Sequence, residues 1–432
     1  MICDNVSINE KGHLAFRGFD TVDLAEKYGT PLYLMDENKI RDHIRTYKTA
    51  MENFFPVGSV PEFASKACAF KQIYRIMAEE GIDIDVVSGG EIYTAKSAGF
   101  PMERAFYHGN SKSDCDIEFA IDMGVGYFVV DNEEEAIAID QIAEKKGITQ
   151  KVLLRVSPGI DPHTHKKIST GSVESKFGVA IETGQAKELT ENILKLNNIS
   201  LEGFHCHIGS QIFESDPFVT ACEIMVNFIS ETKNSLGFVP NMLNLGGGFG
   251  VRYVESDPEI DYYEKIGEVA KALDEYCKKA NISCPVIHME PGRSLVADAG
   301  MTLYSVQNVK EITGYKNYIS IDGGMTDNPR YTLYESEYTV MLASRANAPK
   351  DFTATISGRC CESGDLIQED VALPKPERNE ILAVLTTGAY NYSMASNYNR
   401  VPRPPVVMLN DNGDYIAVKR ESFEDICSLD VL

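Results

Sequence analysis

Lys66 stands in Phe63-Ala64-Ser65-Lys66-Ala67, at the end of an apolar run. A lysine desolvated at such a strand end loses part of its preference for the charged form and can offer a neutral amine to a carbonyl carbon. A lysine that snorkels from the strand end into water would use the same residues. Leu245-Gly246-Gly247-Gly248-Phe249-Gly250 is a glycine loop whose amides can approach one phosphate group, or simply make a tight turn. Dinucleotide binding is disfavoured, because Val251 stands where the last glycine of G-x-G-x-x-G belongs, and no G-x-x-x-x-G-K-[ST] occurs. Glu290-Pro291-Gly292-Arg293 joins a carboxylate, a stiff turn and a guanidinium. Gly292 can donate its amide to a phosphate there, and Glu290 could equally pair with Arg293.

Two further clusters carry titratable groups. His205 and His207 share a strand face by the period of two. A metal could use that pair, but no H-E-x-x-H helix accompanies it. An imidazole stacked on an aromatic ring, or a hydrogen-bonded core histidine, fits better, and no metal is expected. Cys360-Cys361-Glu362-Ser363-Gly364-Asp365 packs thiols beside two carboxylates in a glycine turn. Carboxylates raise a thiol pKa, which suits a proton donor better than a nucleophile; an inert structural thiol is the plainer alternative.

These residues need elements to hold them. Between residues 60 and 293, apolar or β-branched runs at 60–66, 82–88, 105–109, 127–131, 151–157, 201–208, 241–246 and 286–290 alternate with helical patterns. Gln72 to Ala78 and Glu133 to Lys146 read as helices, with Gly81, Gly99, Gly124 and Gly147 placed as C-terminal stops. Eight such units predict a parallel (β/α)8 TIM barrel, and Lys66, His207 and Glu290 then share its C-terminal rim, where barrel enzymes assemble their sites. After residue 300 the texture becomes short β-rich runs, at Met301 to Val309, Tyr318 to Ile321, Thr353 to Ser357 and Ile381 to Thr386. This predicts an all-β module, joined by the N-terminal strand Leu32-Tyr33-Leu34-Met35. The expected organisation is a segment 1–36 that joins the β domain, a barrel 37–300, and a C-terminal β-sandwich or β-barrel domain 301–432.

Composition narrows the partners. With 41 basic and 64 acidic residues, the net charge of −23 repels phosphate backbones and anionic membrane surfaces, so nucleic acid and membrane are not expected partners. Ten scattered cysteines without a C-x-x-C pair argue against a disulfide framework and a structural zinc. No apolar stretch approaches a membrane span and the first residues lack signal-peptide character, so a cytoplasmic location is expected.

In their order along nearly the whole chain, these motifs resemble the alanine-racemase-like, fold-type III pyridoxal-phosphate decarboxylases, and most closely the diaminopimelate branch of the ornithine, diaminopimelate and arginine group. The resemblance runs through Tyr28 to Tyr33, Phe63 to Ala67, Ser175 to Gly178, His205 to Gln211, Gly246 to Gly250, Glu290 to Arg293, Asp322 to Met325, Asn328 to Arg330, Cys361 to Asp365 and Gly388 to Tyr390. It implies pyridoxal 5'-phosphate as cofactor, with Lys66 as its Schiff-base anchor and His207 stacked on its ring. Gly247, Gly248, Gly292 and Tyr390 would hold the phosphate side, with Ser210 nearby and Arg293 adjoining. Glu290 would face the ring nitrogen, where alanine racemases place an arginine.

The resemblance further implies release of carbon dioxide from meso-2,6-diaminopimelate to give L-lysine, the last step of lysine biosynthesis. Cys361 would protonate the carbanion. Arg293, Arg330 and Tyr334 would grip the distal carboxylate, with Tyr390 alongside, and Glu362 the distal amine. The family's sites are shared across a homodimer, so Cys361 and Glu362 would serve the partner subunit's Lys66. Ornithine-type relatives carry Cys-Asp where this chain has Cys361-Glu362. Tyr331, where the family has proline, and Arg359-Cys360, where it has Pro-Leu or Pro-Ile, depart on the substrate side. Decarboxylation of carboxynorspermidine, arginine or ornithine is the second reading, and a non-catalytic regulatory homologue the third.

Overall fold

The computed structural model describes residues 1–160 and 175–432. Its two compact units are His43–Gly250 with Ile260–Gly292, and Met1–Asp42 with Val251–Glu259 and Arg293–Leu432.

The first unit is the expected barrel. Its strands are Val60–Ala64, Asp83–Val86, Ala105–Tyr107, Tyr127–Val130, Gln150–Ser157, Ile199–His205, Met242–Asn244 and Val286–Met289. Each pairs in parallel with the next, and His288 with Val60 and Met289 with Pro61 close the ring. All eight expected runs are strands. The sixth strand bulges between Leu201 and Gly203, where a Cβ on Gly203 would stand 1.8 Å from the carbonyl oxygen of Met242. Only glycine lets the two strands approach there.

The expected helices follow their end signals. Glu133–Lys146 begins on Asn132, whose side chain accepts from the Glu135 amide, and stops at Gly147 with φ +66°. Lys71–Glu80 and Asp114–Met123 stop in the same way at Gly81 and Gly124. Gly89–Ser97 ends at Ala98, one residue before the expected stop at Gly99.

Barrel interiors are ordinarily filled by branched aliphatic side chains. This one holds buried polar groups. Phe106 stacks on Tyr127 at 4.4 Å and meets the ring of His288 at 5.3 Å. Glu62 lies with Oε1 2.6 Å from His288 Nδ1, and Asp83 accepts from Arg104 Nε at 2.8 Å. Burial, and then the charge of Glu290, push the Glu62 carboxyl well above the usual carboxylate range.

A buried ion pair fixes the loop after the third strand. The Lys112 ammonium donates to Glu135 Oε1 at 2.7 Å, to the Gly109 carbonyl at 2.7 Å and to the Val129 carbonyl at 2.9 Å. Lys112→Met is expected to cost about 3–5 kcal/mol, because it leaves a buried carboxylate and two carbonyls without their donor. A denaturant titration checks this; a loss below about 1 kcal/mol would put the pair in the class of surface ion pairs.

The second unit is built on one large sheet. The long strand Gly300–Ile312 pairs antiparallel with Lys316–Ile321, with Ile381–Leu385 and with Leu32–Asp36. Leu32–Asp36 also pairs in parallel with Val406–Asn410, so the N-terminal strand joins the C-terminal module as expected. Leu32, Leu34, Met301, Leu303, Leu385, Val407 and Leu409 meet in its apolar core. The unit is not purely β, since it carries the helices Thr21–Tyr28, Arg330–Tyr334 and Phe423–Cys427.

Candidate active site

On the barrel rim, Lys66 lies in the single 3₁₀ turn Ser65–Ala67 that follows the first strand. Its side chain is exposed, which corrects the expectation of a desolvated amine: the flanking Ser65 and Ala67 are buried, and the turn aims Lys66 outward. Asp85, at the end of the second strand, is buried within electrostatic reach of it. Burial and the charge of Glu290 push the Asp85 carboxyl well up, with Lys66 pulling it down.

Glu290 follows the eighth strand and is almost wholly buried. Its Oε1 accepts from Asn244 Nδ2 at 2.9 Å and lies 3.0 Å from His205 Nε2 and 3.3 Å from His108 Nε2. Burial alone would raise this carboxyl, but His205, His108 and His207 outweigh it and hold Glu290 well below the usual range. Burial pushes His205 down, and His108 well down, each against the opposing pull of Glu290. Asn244, His205 and His108 all meet it at Oε1. A buried carboxylate held in its charged form fits a protonated ring nitrogen.

The two histidines of the His205-x-His207 motif therefore divide. His205 is fully buried against Glu290, whereas His207 is half-buried and its Nδ1 accepts from the Gly247 amide at 3.3 Å. Burial and Lys66 hold His207 well below its ordinary value, which leaves a neutral ring able to stack on another.

The glycine loop is locked by close backbone approaches. A Cβ on Gly247 would stand 1.9 Å from the Glu290 carbonyl oxygen, and Gly248 takes φ +136° with its Cβ position 2.6 Å from the Gly209 carbonyl oxygen. Gly292 packs its Cα side against Ala64 and Ala67. Among the described residues the amides of Gly248 and Gly292 make no hydrogen bond to the chain. Two undonated amides on one rim fit a phosphate group. Ser210 is half-exposed in the loop after the sixth strand.

The second unit gathers a different set. Arg293 and Arg330 are both buried. Arg293 Nη1 donates to the Tyr253 hydroxyl at 2.8 Å, and its guanidinium carbon lies 4.8 Å from the centre of the Tyr390 ring. Arg330 Nη1 donates to the Tyr338 hydroxyl at 2.6 Å and Nη2 to Ser336 Oγ at 3.1 Å, with the Tyr253 ring 4.7 Å away. Tyr390 takes φ +63° after Gly388, whose Cβ position lies 1.8 Å from the Val296 carbonyl oxygen. Tyr334 is half-buried at the end of the helix that Arg330 begins.

Cys361 and Glu362 are exposed in this unit, with the Cys361 amide donating to Asn399 Oδ1 at 2.8 Å. Asp365 turns inward, accepting from the amides of Met325 and Cys360, both at 2.6 Å. Burial and Asp365 push the Cys360 thiol up to about 11, so this carboxylate acts on the first cysteine of the pair. The departures from the family pattern are absorbed locally: Tyr331 donates to Glu369 at 2.6 Å, and Arg359 reaches the Asp322 carbonyl at 3.4 Å. Asn244 and Asp85 at this site, the contact of His108 with Glu290, and Tyr253 and Tyr338 as arginine partners are not among the expectations from sequence. Asp83-x-Asp85 on a barrel strand was the available signal, since period two places both acids on the inner face.

Comparison with known proteins gives these features a context. Residues 37–297 match the family described as pyridoxal-dependent decarboxylase, pyridoxal binding domain. The diaminopimelate decarboxylase of Bacillus subtilis is 44% identical over 425 residues, covering 98% of this chain and 96% of that protein. The Staphylococcus aureus enzyme of the same name is 41% identical, covering 98% of each. The crystal structure of diaminopimelate decarboxylase from M. jannaschii in complex with L-lysine is 34% identical, with a TM-score of 0.91 over 100% of this chain and 99% of that one.

Proposed function

The chain belongs to the pyridoxal-dependent decarboxylases of fold type III, and from that membership we propose that it releases carbon dioxide from meso-2,6-diaminopimelate to form L-lysine. It is a carboxy-lyase with pyridoxal 5'-phosphate as cofactor. When bound, that ring supplies an electron sink for the pair left by the departing carbon dioxide. Lys66 would be the amine that anchors it, the amides of Gly248 and Gly292 with the Gly247 backbone and Ser210 would address its phosphate, His207 would cover one ring face, and Glu290 would keep the ring nitrogen charged.

One observation carries the choice of substrate. Arg330 is a buried guanidinium whose partners among the described residues are two hydroxyls and two aromatic rings, with no carboxylate. A buried cation without a counter-charge calls for an anionic ligand. The distal carboxylate of diaminopimelate supplies one, whereas a plain diamine product does not. Arg293 and Tyr334 complete that grip. Incubation of purified protein with meso-diaminopimelate should yield L-lysine and carbon dioxide in equal amounts by mass spectrometry. Absence of both would remove this substrate.

Cys361 and Glu362, exposed on their own subunit, act in the site of a second copy, Cys361 as the proton donor and Glu362 on the distal amine. A mixture of Lys66→Ala and Cys361→Ala proteins tests the shared site. Under subunit exchange the mixed dimer then holds one intact site, and up to about a quarter of wild-type activity should return. No recovery under demonstrated exchange would rule out sharing. A cytoplasmic location fits a chain in which no described helix is long and apolar enough to cross a membrane.

A further inference from the structure

Tyr253 lies just beyond the glycine loop, is only 4% exposed, and touches both buried arginines. Its hydroxyl accepts from Arg293 Nη1 at 2.8 Å, while the Arg330 guanidinium carbon lies 4.7 Å from its ring centre. The Arg293 guanidinium carbon is 5.7 Å from the same centre.

The tyrosine itself is held on every side. Its amide donates to Asp257 Oδ2 at 2.9 Å, and its carbonyl accepts from the Thr339 amide at 3.2 Å and from Thr339 Oγ1 at 2.9 Å. Tyr338 meets its ring edge-on, at 5.4 Å and 88°, and Tyr338 in turn accepts from Arg330. Two like charges buried beside one another repel, and long side chains give each of them many rotamers. A fixed ring with an electron-rich face for one guanidinium and an acceptor oxygen for the other offsets the repulsion and removes the freedom.

We propose that Tyr253 is a positioning residue that sets the spacing and direction of Arg293 and Arg330, so that both guanidiniums address the same substrate carboxylate. The inference rests on the reading that this arginine pair binds the distal carboxylate. It assigns to Tyr253 the part of substrate selection that depends on that carboxylate. Tyrosine is required because its two functions separate: phenylalanine keeps the face for Arg330 and loses the acceptor for Arg293, and leucine loses both.

The test uses the holoenzyme with Tyr253→Phe and Tyr253→Leu. The KM for meso-diaminopimelate should rise about threefold in the first and about tenfold in the second, with kcat within twofold of wild type; tenfold corresponds to about 1.4 kcal/mol. The inhibition constant of L-lysine, which keeps the carboxylate, should rise in step. Inhibition by cadaverine, the same diamine without a carboxylate, should be no weaker than in wild type. Bound-cofactor absorbance should be unchanged, which separates positioning from general damage, and Tyr253→Phe covers the case in which Tyr253→Leu does not fold. Unchanged KM and lysine inhibition in both variants, or equal weakening toward lysine and cadaverine, would overturn the proposal. Wild-type protein inactive on meso-diaminopimelate would instead overturn the reading beneath it.

Discussion

Lys66→Ala is expected to lower decarboxylation by at least about 10³-fold, more than about 4 kcal/mol of barrier. The side chain is exposed on a turn whose flanking residues do the packing, so its removal takes away an amine and little else. Turnover should therefore fall without a matching loss of thermal stability. Borohydride reduction followed by peptide mapping gives the second measurement. Wild-type protein should carry the reduced cofactor on the peptide containing Lys66, and the variant should carry none. Labelling of a different lysine in wild-type protein would refute the anchor assignment, whatever the activity of the variant.

Glu290→Gln should cut kcat by about 10²-fold, near 3 kcal/mol, with a small change in KM. The substitution keeps the shape and leaves an oxygen that can accept from Asn244, His205 and His108, so it isolates the charge. That charge is stable in the folded chain because His205, His108 and His207 hold the group well below its usual range despite burial. The variant should fold and bind cofactor with an altered absorption spectrum, since the ring nitrogen loses its anionic partner. A kcat within tenfold of wild type would mean that this carboxylate does not tune the ring.

Local rules made much of this legible. The eight barrel runs and the helix stops at Gly81, Gly124 and Gly147 follow from period and capping, which neighbouring residues decide. The order of the rim residues followed once the barrel was recognised, because strand ends of a closed parallel sheet share one face. What stayed hidden depends on distant segments. Whether Lys66 is buried is set by the turn it occupies and not by the apolar run before it. The pairing of Glu290 with His108 joins strands three and eight, and Asp365 chooses Cys360 because of a loop geometry that composition does not encode. Tyr253 owes its role to Arg330, which lies far along the chain and meets its ring.

The strand Leu32–Asp36, held between Gly300–Ile312 and Val406–Asn410, has a consequence for biosynthesis. A ribosome releases the last barrel residue, Gly292, well before it makes residue 406, so the barrel can close while the sheet unit still lacks a central partner strand. During that interval the edge of Leu32–Asp36 that will pair with Val406–Asn410 is open, and it is the kind of apolar edge on which nascent chains aggregate. Completion of this sheet is thus timed by the strand Val406–Asn410. A truncation before residue 406 should leave a marked soluble-fraction defect.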